Sequence, residues 1–129
     1  MENLIVVLVV EDDHLVRSLA EETLSEGGYK VVSASSAEQA VELLTGDNSI
    51  RALVTDINLG SETLTGWDVA RRAREFEAEQ PVVYMTGDSG PGWASQGVPN
   101  SILLTKPFAP AQLLTAVSQL LNAGTASTA

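Results

Sequence analysis

Three acidic residues follow one another at the end of an apolar run near the start of the chain. The stretch VLVVEDDH covers residues 7–14, and its acids are Glu11, Asp12 and Asp13. Carboxylates held this close raise one another's pKa and resist joint ionisation unless a cation neutralises them. The stretch therefore requires a metal ion, a positive side chain, or enough water to screen its charges.

Asp56, Thr86 and Lys106 lie at or near the ends of three later apolar runs. Together with the first acids they supply what phosphoryl transfer needs. Carboxylates can hold a hard divalent cation, one carboxylate can act as the nucleophile, and a hydroxyl and an amine can contact phosphate oxygens. Because Asp56 follows apolar residues, where an unpaired carboxylate is unfavourable, a functional role explains it better than a turn does.

Continuous apolar runs rich in valine and isoleucine are typical of strands that are buried on both faces of a parallel sheet. Four such runs and a weaker edge run occur in this chain: LIVVLVV (4–10), YKVVSA (29–34), RALVTDI (51–57), PVVYMTG (81–87) and SILLTKP (101–107). Helical periods lie between them, and we expect the apolar stripe of the first helix, with Leu15, Leu19 and Ala20, to face the core. The alternation predicts a doubly wound α/β sheet with right-handed crossovers, whose functional groups meet beyond the carboxyl ends of the strands.

Local punctuation refines this prediction. Ser35 with Glu38 predicts a capping box for the second helix. The glycines and prolines of residues 88–100 predict a loop or a single short turn where the alternation requires a helix. The last residues carry no core-forming side chains, so we expect one domain over residues 1–123 and a frayed tail at 124–129.

These residues resemble the receiver domains of two-component response regulators. The resemblance covers nearly the whole chain and rests on four motifs in the same order and spacing: VLVVEDD, VTDINL, YMTG and LLTKPF. It implies a flavodoxin-like, five-stranded parallel sheet of strand order 2-1-3-4-5 with helices on both faces. The fourth helix is expected to be short or absent.

The resemblance also implies Mg²⁺ as the cofactor and a role for each matching residue. Asp56 is the phosphoacceptor, and Thr86 and Lys106 contact the phosphoryl group. The phosphodonor is a phosphohistidine of a histidine kinase or of a histidine phosphotransfer protein. The implied metal ligands are Glu11 (through water), Asp12, Asp56 and the backbone carbonyl of Asn58.

Further positions follow from the same resemblance or depart from it. Asn58 and Asp88 can tune hydrolysis of the phosphoryl group, and the bond before Pro107 is a candidate cis peptide. Leu103 occupies the position at which many receivers carry an aromatic switch residue. We therefore expect partners to contact the altered loop around Trp93.

Composition restricts the partners. The formal net charge is −10, from 17 acidic against 7 basic side chains. This charge disfavours direct DNA binding, so we expect proteins and small ions as partners. The chain has no cysteine, so a metal would be held by oxygen ligands. Because no apolar run approaches the length of a membrane span and none resembles a signal peptide, we expect a cytoplasmic protein without membrane insertion.

The expected function is that of a stand-alone receiver that catalyses only its own phosphorylation and dephosphorylation, although excision from a hybrid kinase stays open. One alternative is a degenerate receiver that acts as a phosphorylation-independent interaction module. Another is a Mg²⁺-dependent phosphatase with an aspartyl nucleophile. Such phosphatases of the haloacid dehalogenase type require a second acid at the position of Asn58, which disfavours this reading.

Overall fold

Five parallel strands form one sheet in the order 2-1-3-4-5, with the strands numbered along the chain. The computed structural model describes residues 4–46, 49–60, 63–87 and 90–126, with side chains to residue 122. The observed strand order confirms the predicted topology. The strands are β1 (Val6–Val10), β2 (Lys30–Ala34), β3 (Ile50–Asp56), β4 (Val82–Thr86) and β5 (Ser101–Thr105).

Helices cover both faces of the sheet, as predicted. One core cluster lies between the sheet and the second and third helices, and another lies between the sheet and the first and last helices. The fourth helix is a single turn preceded by a 3₁₀ turn, which confirms that it is short. The helices are α1 (His14–Glu26), α2 (Ala37–Gly46), α3 (Gly66–Phe76), α4 (Trp93–Gln96, after the 3₁₀ turn Gly90–Gly92) and α5 (Pro110–Ala126).

The end of the domain stays a prediction. Helix α5 continues to Ala126, past the predicted boundary at residue 123, and residues 127–129 lie outside the described part of the chain. Within the described ranges, no helix is long and apolar enough to cross a membrane.

Side-chain caps at the starts of α2 and α3 fix where these two helices begin. The prediction for α2 was wrong by one residue, because the side chain of Ser36, not Ser35, accepts the capping bond from Gln39 N at 3.1 Å. Thr65 and Asp68 form a capping box at the start of α3. The two reciprocal bonds satisfy the backbone N–H groups of Thr65 and Asp68 at the start of α3.

The prediction that Leu15 and Leu19 face the core was wrong. Leu15 is 78% exposed and Leu19 is 41% exposed, whereas α1 buries Ala20 and Leu24. Ala20 and Leu24 are one helical turn apart, and at 3.6 residues per turn Leu15 stands about half a turn away from them. The helix therefore presents two leucines to solvent.

Candidate functional site

The carboxyl ends of four strands bring the candidate residues to one edge of the sheet. Glu11 follows β1, Asp56 ends β3, Thr86 ends β4, and Lys106 follows β5. Backbone hydrogen bonds fix these ends, because Ile57 N donates to Met85 O at 3.1 Å and Lys106 N donates to Thr86 O at 2.7 Å. The parallel register thus places side chains that are far apart in sequence within hydrogen-bonding reach.

Lys106 bridges two carboxylates. Its Nζ donates to Glu11 Oε1 at 2.8 Å and to Asp56 Oδ2 at 3.1 Å. The side chain of Lys106 is 23% exposed, and those of Glu11 and Asp56 are 1% and 9% exposed. Among the described residues, Lys106 is the one hydrogen-bond donor to the Asp56 side chain. A positive charge therefore lies directly beside a nearly buried carboxylate.

Oxygen atoms of three acids converge beside this pair. Glu11, Asp12 and Asp56 each offer a carboxylate oxygen, and these oxygens lie within 4.8 Å of one another. A set of hard oxygen ligands without sulfur or imidazole fits Mg²⁺, which is bound in proteins by one or two carboxylates and keeps several waters. The acidic pocket thus fits the metal that the sequence implied.

The electrostatics of the pocket depend on burial. Burial raises the pKa of Glu11 from 4.5 to about 7, against the opposing effects of its hydrogen bonds with Lys106 and the Asp13 backbone. Burial alone would lower the pKa of Lys106, but the hydrogen bond to Glu11 and the charge of Asp56 outweigh it and raise that pKa. Lys106 is therefore a stable ammonium ion at neutral pH, and Glu11 titrates near neutrality.

Comparison with known proteins identifies the family. The model of the response regulator receiver domain matches residues 7–118. The chain belongs to this family. Receiver domains of two-component systems interact with histidine kinases and generally bind Mg²⁺ at an acidic pocket, and the cluster of Glu11, Asp12 and Asp56 in this receiver is compatible with such a site.

The match to each relative spans a different share of that relative's length. A response regulator receiver protein from Sinorhizobium medicae WSM419 is 44% identical, with a TM-score of 0.91 over 94% of this receiver and 97% of that chain. The two-component response regulator ORR3 of Oryza sativa is 30% identical over 87 residues, which is 66% of this receiver and 65% of that protein. The autoinducer 1 sensor kinase/phosphatase LuxN of Vibrio harveyi is 29% identical over 84 residues, which is 65% of this receiver but only 10% of LuxN.

The remaining predicted positions are placed as follows. Asp13 is not part of the acidic pocket, because its Oδ1 caps α1 by accepting from Leu15 N at 2.9 Å. Asn58 is exposed, and its Oδ1 accepts from Gly60 N at 3.3 Å. The Lys106–Pro107 peptide bond is cis. Asp88 lies outside the described residues, so its role in hydrolysis stays a prediction.

Three predicted positions lie on β4, on β5 and in α4. Thr86 is buried at the carboxyl end of β4. Leu103 is partly buried on β5, packed on the α2–α3 side of the sheet. Trp93 opens α4 and is 37% exposed. Their roles in phosphoryl contact, switching and partner binding stay predictions.

Two residues that contact the site, Gly66 and Arg17, were not predicted from the sequence. A Cβ at Gly66 would clash with the carbonyl oxygen of Asp56, so only glycine lets α3 begin directly against the backbone of Asp56. Arg17 in α1 donates from Nη1 to Glu11 O at 2.9 Å. A glycine at the first position of a helix could have indicated the close approach of Gly66, but no sequence pattern indicates the contact of Arg17.

Proposed function

We propose that this receiver accepts a phosphoryl group on Asp56 from a phosphohistidine of a histidine kinase or of a histidine phosphotransfer protein. The proposal rests on the Asp56 carboxylate, which lies at the carboxyl end of β3 and is 9% exposed. Its Oδ2 is 3.1 Å from Lys106 Nζ. A carboxylate oxygen of Asp56 attacks phosphorus, the P–N bond to the donor histidine breaks, and imidazole leaves. The product is an acyl phosphate that water later hydrolyses.

The residues of the pocket act mainly by position and charge. Lys106 neutralises negative charge on the transferring oxygens, and Thr86 offers a hydroxyl at the end of the neighbouring strand. When bound by Glu11, Asp12 and Asp56, Mg²⁺ would supply further charge neutralisation at the phosphoryl oxygens. The receiver acts only on its own Asp56, so in this proposal it is a phosphorylated module and not an enzyme that turns over an external substrate.

The phosphodonor protein approaches from the edge of the sheet that carries Asp56. Two exposed large apolar side chains, Leu15 and Leu19, belong to the helix that begins directly after the acidic residues. They are four residues apart, so they lie on the same side of the helix and form a small apolar patch, and exposed apolar patches are candidate contact surfaces. We infer that the histidine-bearing partner packs on these two leucines while its phosphohistidine reaches Asp56.

Phosphorylation switches protein contacts at the short α4. Trp93 is the largest exposed side chain of this segment, and exposed tryptophans are frequent anchors in protein interfaces. The downstream partner therefore contacts the surface around Trp93. The acidic net charge of −10 makes a protein a better partner for this surface than DNA.

The proposal is tested by intact mass after incubation with acetyl phosphate and Mg²⁺. We expect the parent protein to gain one phosphoryl group and the Asp56→Asn variant to gain none. Asp13→Asn is the matched control, because asparagine caps a helix as well as aspartate does and Asp13 lies outside the acidic pocket, so this variant should gain the group. EDTA should abolish the gain in the parent protein and in Asp13→Asn.

A negative result needs one further donor, because acetyl phosphate lacks the docking surface of a kinase. The same samples are therefore also incubated with a phosphorylated histidine kinase. Absence of phosphoryl transfer from both donors would contradict the proposal and favour an interaction module that works without phosphorylation.

A further inference from the structure

Tyr84 stands directly opposite Leu103 in the pairing of β4 with β5. Both side chains belong to the core on the side of the sheet that α2 and α3 cover. Leu103 offers no polar atom to the segment above it, whereas Tyr84 carries a hydroxyl group. Tyr84 therefore supplies a polar link between β4 and the α4 segment, beside the one that Ser101 supplies from β5.

A continuous hydrogen-bond chain runs from Tyr84 to the surface. The hydroxyl oxygen of Tyr84 accepts from Val98 N at 3.0 Å, and Val98 O accepts from Ser101 Oγ at 2.7 Å. Ser101 Oγ in turn accepts from Trp93 Nε1 at 2.9 Å. Tyr84 is fully buried and Trp93 is 37% exposed, so the Tyr84–Trp93 chain connects the core to an exposed indole.

Tyr84 also contacts the element that follows the phosphoacceptor. Its ring centroid lies 4.8 Å from that of Trp67, with the rings inclined by 59°. Trp67 comes directly after Gly66, whose N donates to Ile57 O at 2.7 Å, beside Asp56. Trp67 also lies under the 3₁₀ turn, because a Cβ at Gly92 would be only 3.4 Å from Trp67 Cζ2.

We propose that Tyr84 is the positioning residue that couples phosphorylation of Asp56 to the exposed indole of Trp93. This inference rests on the function proposed above. A phosphoryl group on Asp56 shifts the adjoining Ile57, and the hydrogen bond from Gly66 N to Ile57 O passes this shift to Trp67. Because buried side chains are packed at crystal-like density, the ring of Tyr84 must move with that of Trp67. Val98 N must follow the hydroxyl, since a buried N–H without an acceptor is unfavourable.

The test compares two tyrosine variants by NMR. The chain has two tyrosines and two tryptophans, so the two indole N–H signals can be assigned with Trp93→Phe. Tyr84→Phe removes only the hydroxyl group. Tyr29→Phe is the matched control, because Tyr29 OH is hydrogen-bonded to Ser118 Oγ at 2.8 Å and belongs to the core on the opposite face. Each protein is measured before and after phosphorylation by acetyl phosphate and Mg²⁺, and intact mass gives its phosphorylated fraction.

We expect the Trp93 indole signal to shift on phosphorylation in the parent and in Tyr29→Phe. Tyr84→Phe should be phosphorylated to the same fraction but should lose most of this shift. Before phosphorylation, its Val98 amide should exchange hydrogen about tenfold faster than in the parent, because the amide has lost its acceptor.

Two outcomes would overturn the inference while the proposed function stands. In one, phosphorylated Tyr84→Phe moves the Trp93 signal as far as the parent does. In the other, the parent is phosphorylated and its Trp93 signal does not move. If neither acetyl phosphate nor a phosphorylated kinase modifies the parent, the proposed function is wrong and this inference falls with it.

Discussion

The ammonium group of Lys106 contacts two carboxylates. It is 2.8 Å from Glu11 Oε1 and 3.1 Å from Asp56 Oδ2, so an ionised pair of acids leaves the trio with one negative charge in excess. Such an excess is unfavourable at a nearly buried site and favours an added cation. It also means that a phosphoryl group on Asp56 competes with Glu11 for the same ammonium protons. The resting contacts of Lys106 therefore favour both metal binding and a rearrangement after phosphorylation.

Mg²⁺ affinity should depend on the protonation of Glu11. Its pKa is raised by burial to about 7, so the carboxyl is mostly protonated at pH 6 and mostly ionised at pH 8. The ionised form is the one that favours a cation, and we therefore expect affinity to increase about tenfold from pH 6 to pH 8. Calorimetric titration with Mg²⁺ at the two pH values measures this change.

Two variants separate Glu11 from other groups. Glu11→Gln keeps an oxygen acceptor for Lys106 but cannot ionise, so its affinity should be lower and nearly independent of pH over this range. His14→Asn removes the single histidine of the chain and should keep the full dependence. Equal pH dependence in the parent and in Glu11→Gln would show that another group controls binding.

The candidate site residues at the strand ends could be predicted from the sequence, but the roles of Tyr84 and Gly66, which pack near them, could not. Asp56 and Lys106 end apolar runs, and the carboxyl ends of parallel strands meet at one edge. Tyr84 and Gly66 matter through strand register and through one close backbone approach. The register of Tyr84 arises only when the strands pack, and a glycine at the first position of a helix can indicate a close approach but not that the contact is with the backbone of Asp56.

At the scale of elements, strands were easier to predict than helix faces. A strand buried on both faces is a continuous apolar run whatever its orientation, so the sheet and its order followed from the runs and their likeness to receivers. A helix face requires the correct choice among several apolar residues. In α1 the predicted stripe contained Leu15, Leu19 and Ala20, but of these three only Ala20 is buried, together with Leu24. The capping pair of α2 was misplaced by one residue because Ser35 and Ser36 are both suitable caps.

The junction of β3 with α3 should tolerate only glycine at position 66. A Cβ there would clash with Asp56 O and lie 2.8 Å from Ile57 Cα, and backbone atoms cannot give way as a side chain can. We expect Gly66→Ala to lower the free energy of unfolding by roughly 3 kcal/mol, as other overpacked sites do. It should also slow phosphorylation by acetyl phosphate, because the overlap displaces the backbone of Asp56.

Gly46→Ala is the control for the loss of glycine flexibility. Gly46 ends α2, and among the described residues no atom beyond its chain neighbours and its own helix backbone would lie within 4 Å of a Cβ there. This variant should keep or slightly raise the stability of the parent, by up to about 1 kcal/mol. Urea unfolding of both variants gives the comparison, and equal stability of the two would contradict a close approach at Gly66.

At the scale of the whole molecule, the two proposed contact surfaces lie on opposite faces of the sheet. Helix α1, with Leu15 and Leu19, packs on the face that α5 shares. The α4 segment is bound to the other face, because Arg71 Nη2 in α3 donates to Gln96 O at 3.3 Å. A phosphodonor on α1 therefore leaves Trp93 accessible. This separation allows phosphoryl transfer and readout to be measured independently.

Replacement of the exposed leucines should slow phosphoryl transfer from a histidine kinase but not from acetyl phosphate. Leu15→Ser and Leu19→Ser change side chains that are 78% and 41% exposed, so stability should change by no more than about 0.5 kcal/mol. Leu4→Ser is the matched control, because Leu4 is 47% exposed but precedes β1, at the opposite edge of the sheet from Asp56.

We expect the double variant of Leu15 and Leu19 to accept phosphate from a phosphorylated histidine kinase at least about tenfold more slowly than the parent, since a well-packed apolar contact contributes 1–2 kcal/mol or more. Its rate with acetyl phosphate, which needs no docking surface, should stay that of the parent. A double variant that is slowed equally with both donors would show that the leucines support the pocket, and one that is slowed with neither would place the donor on another surface.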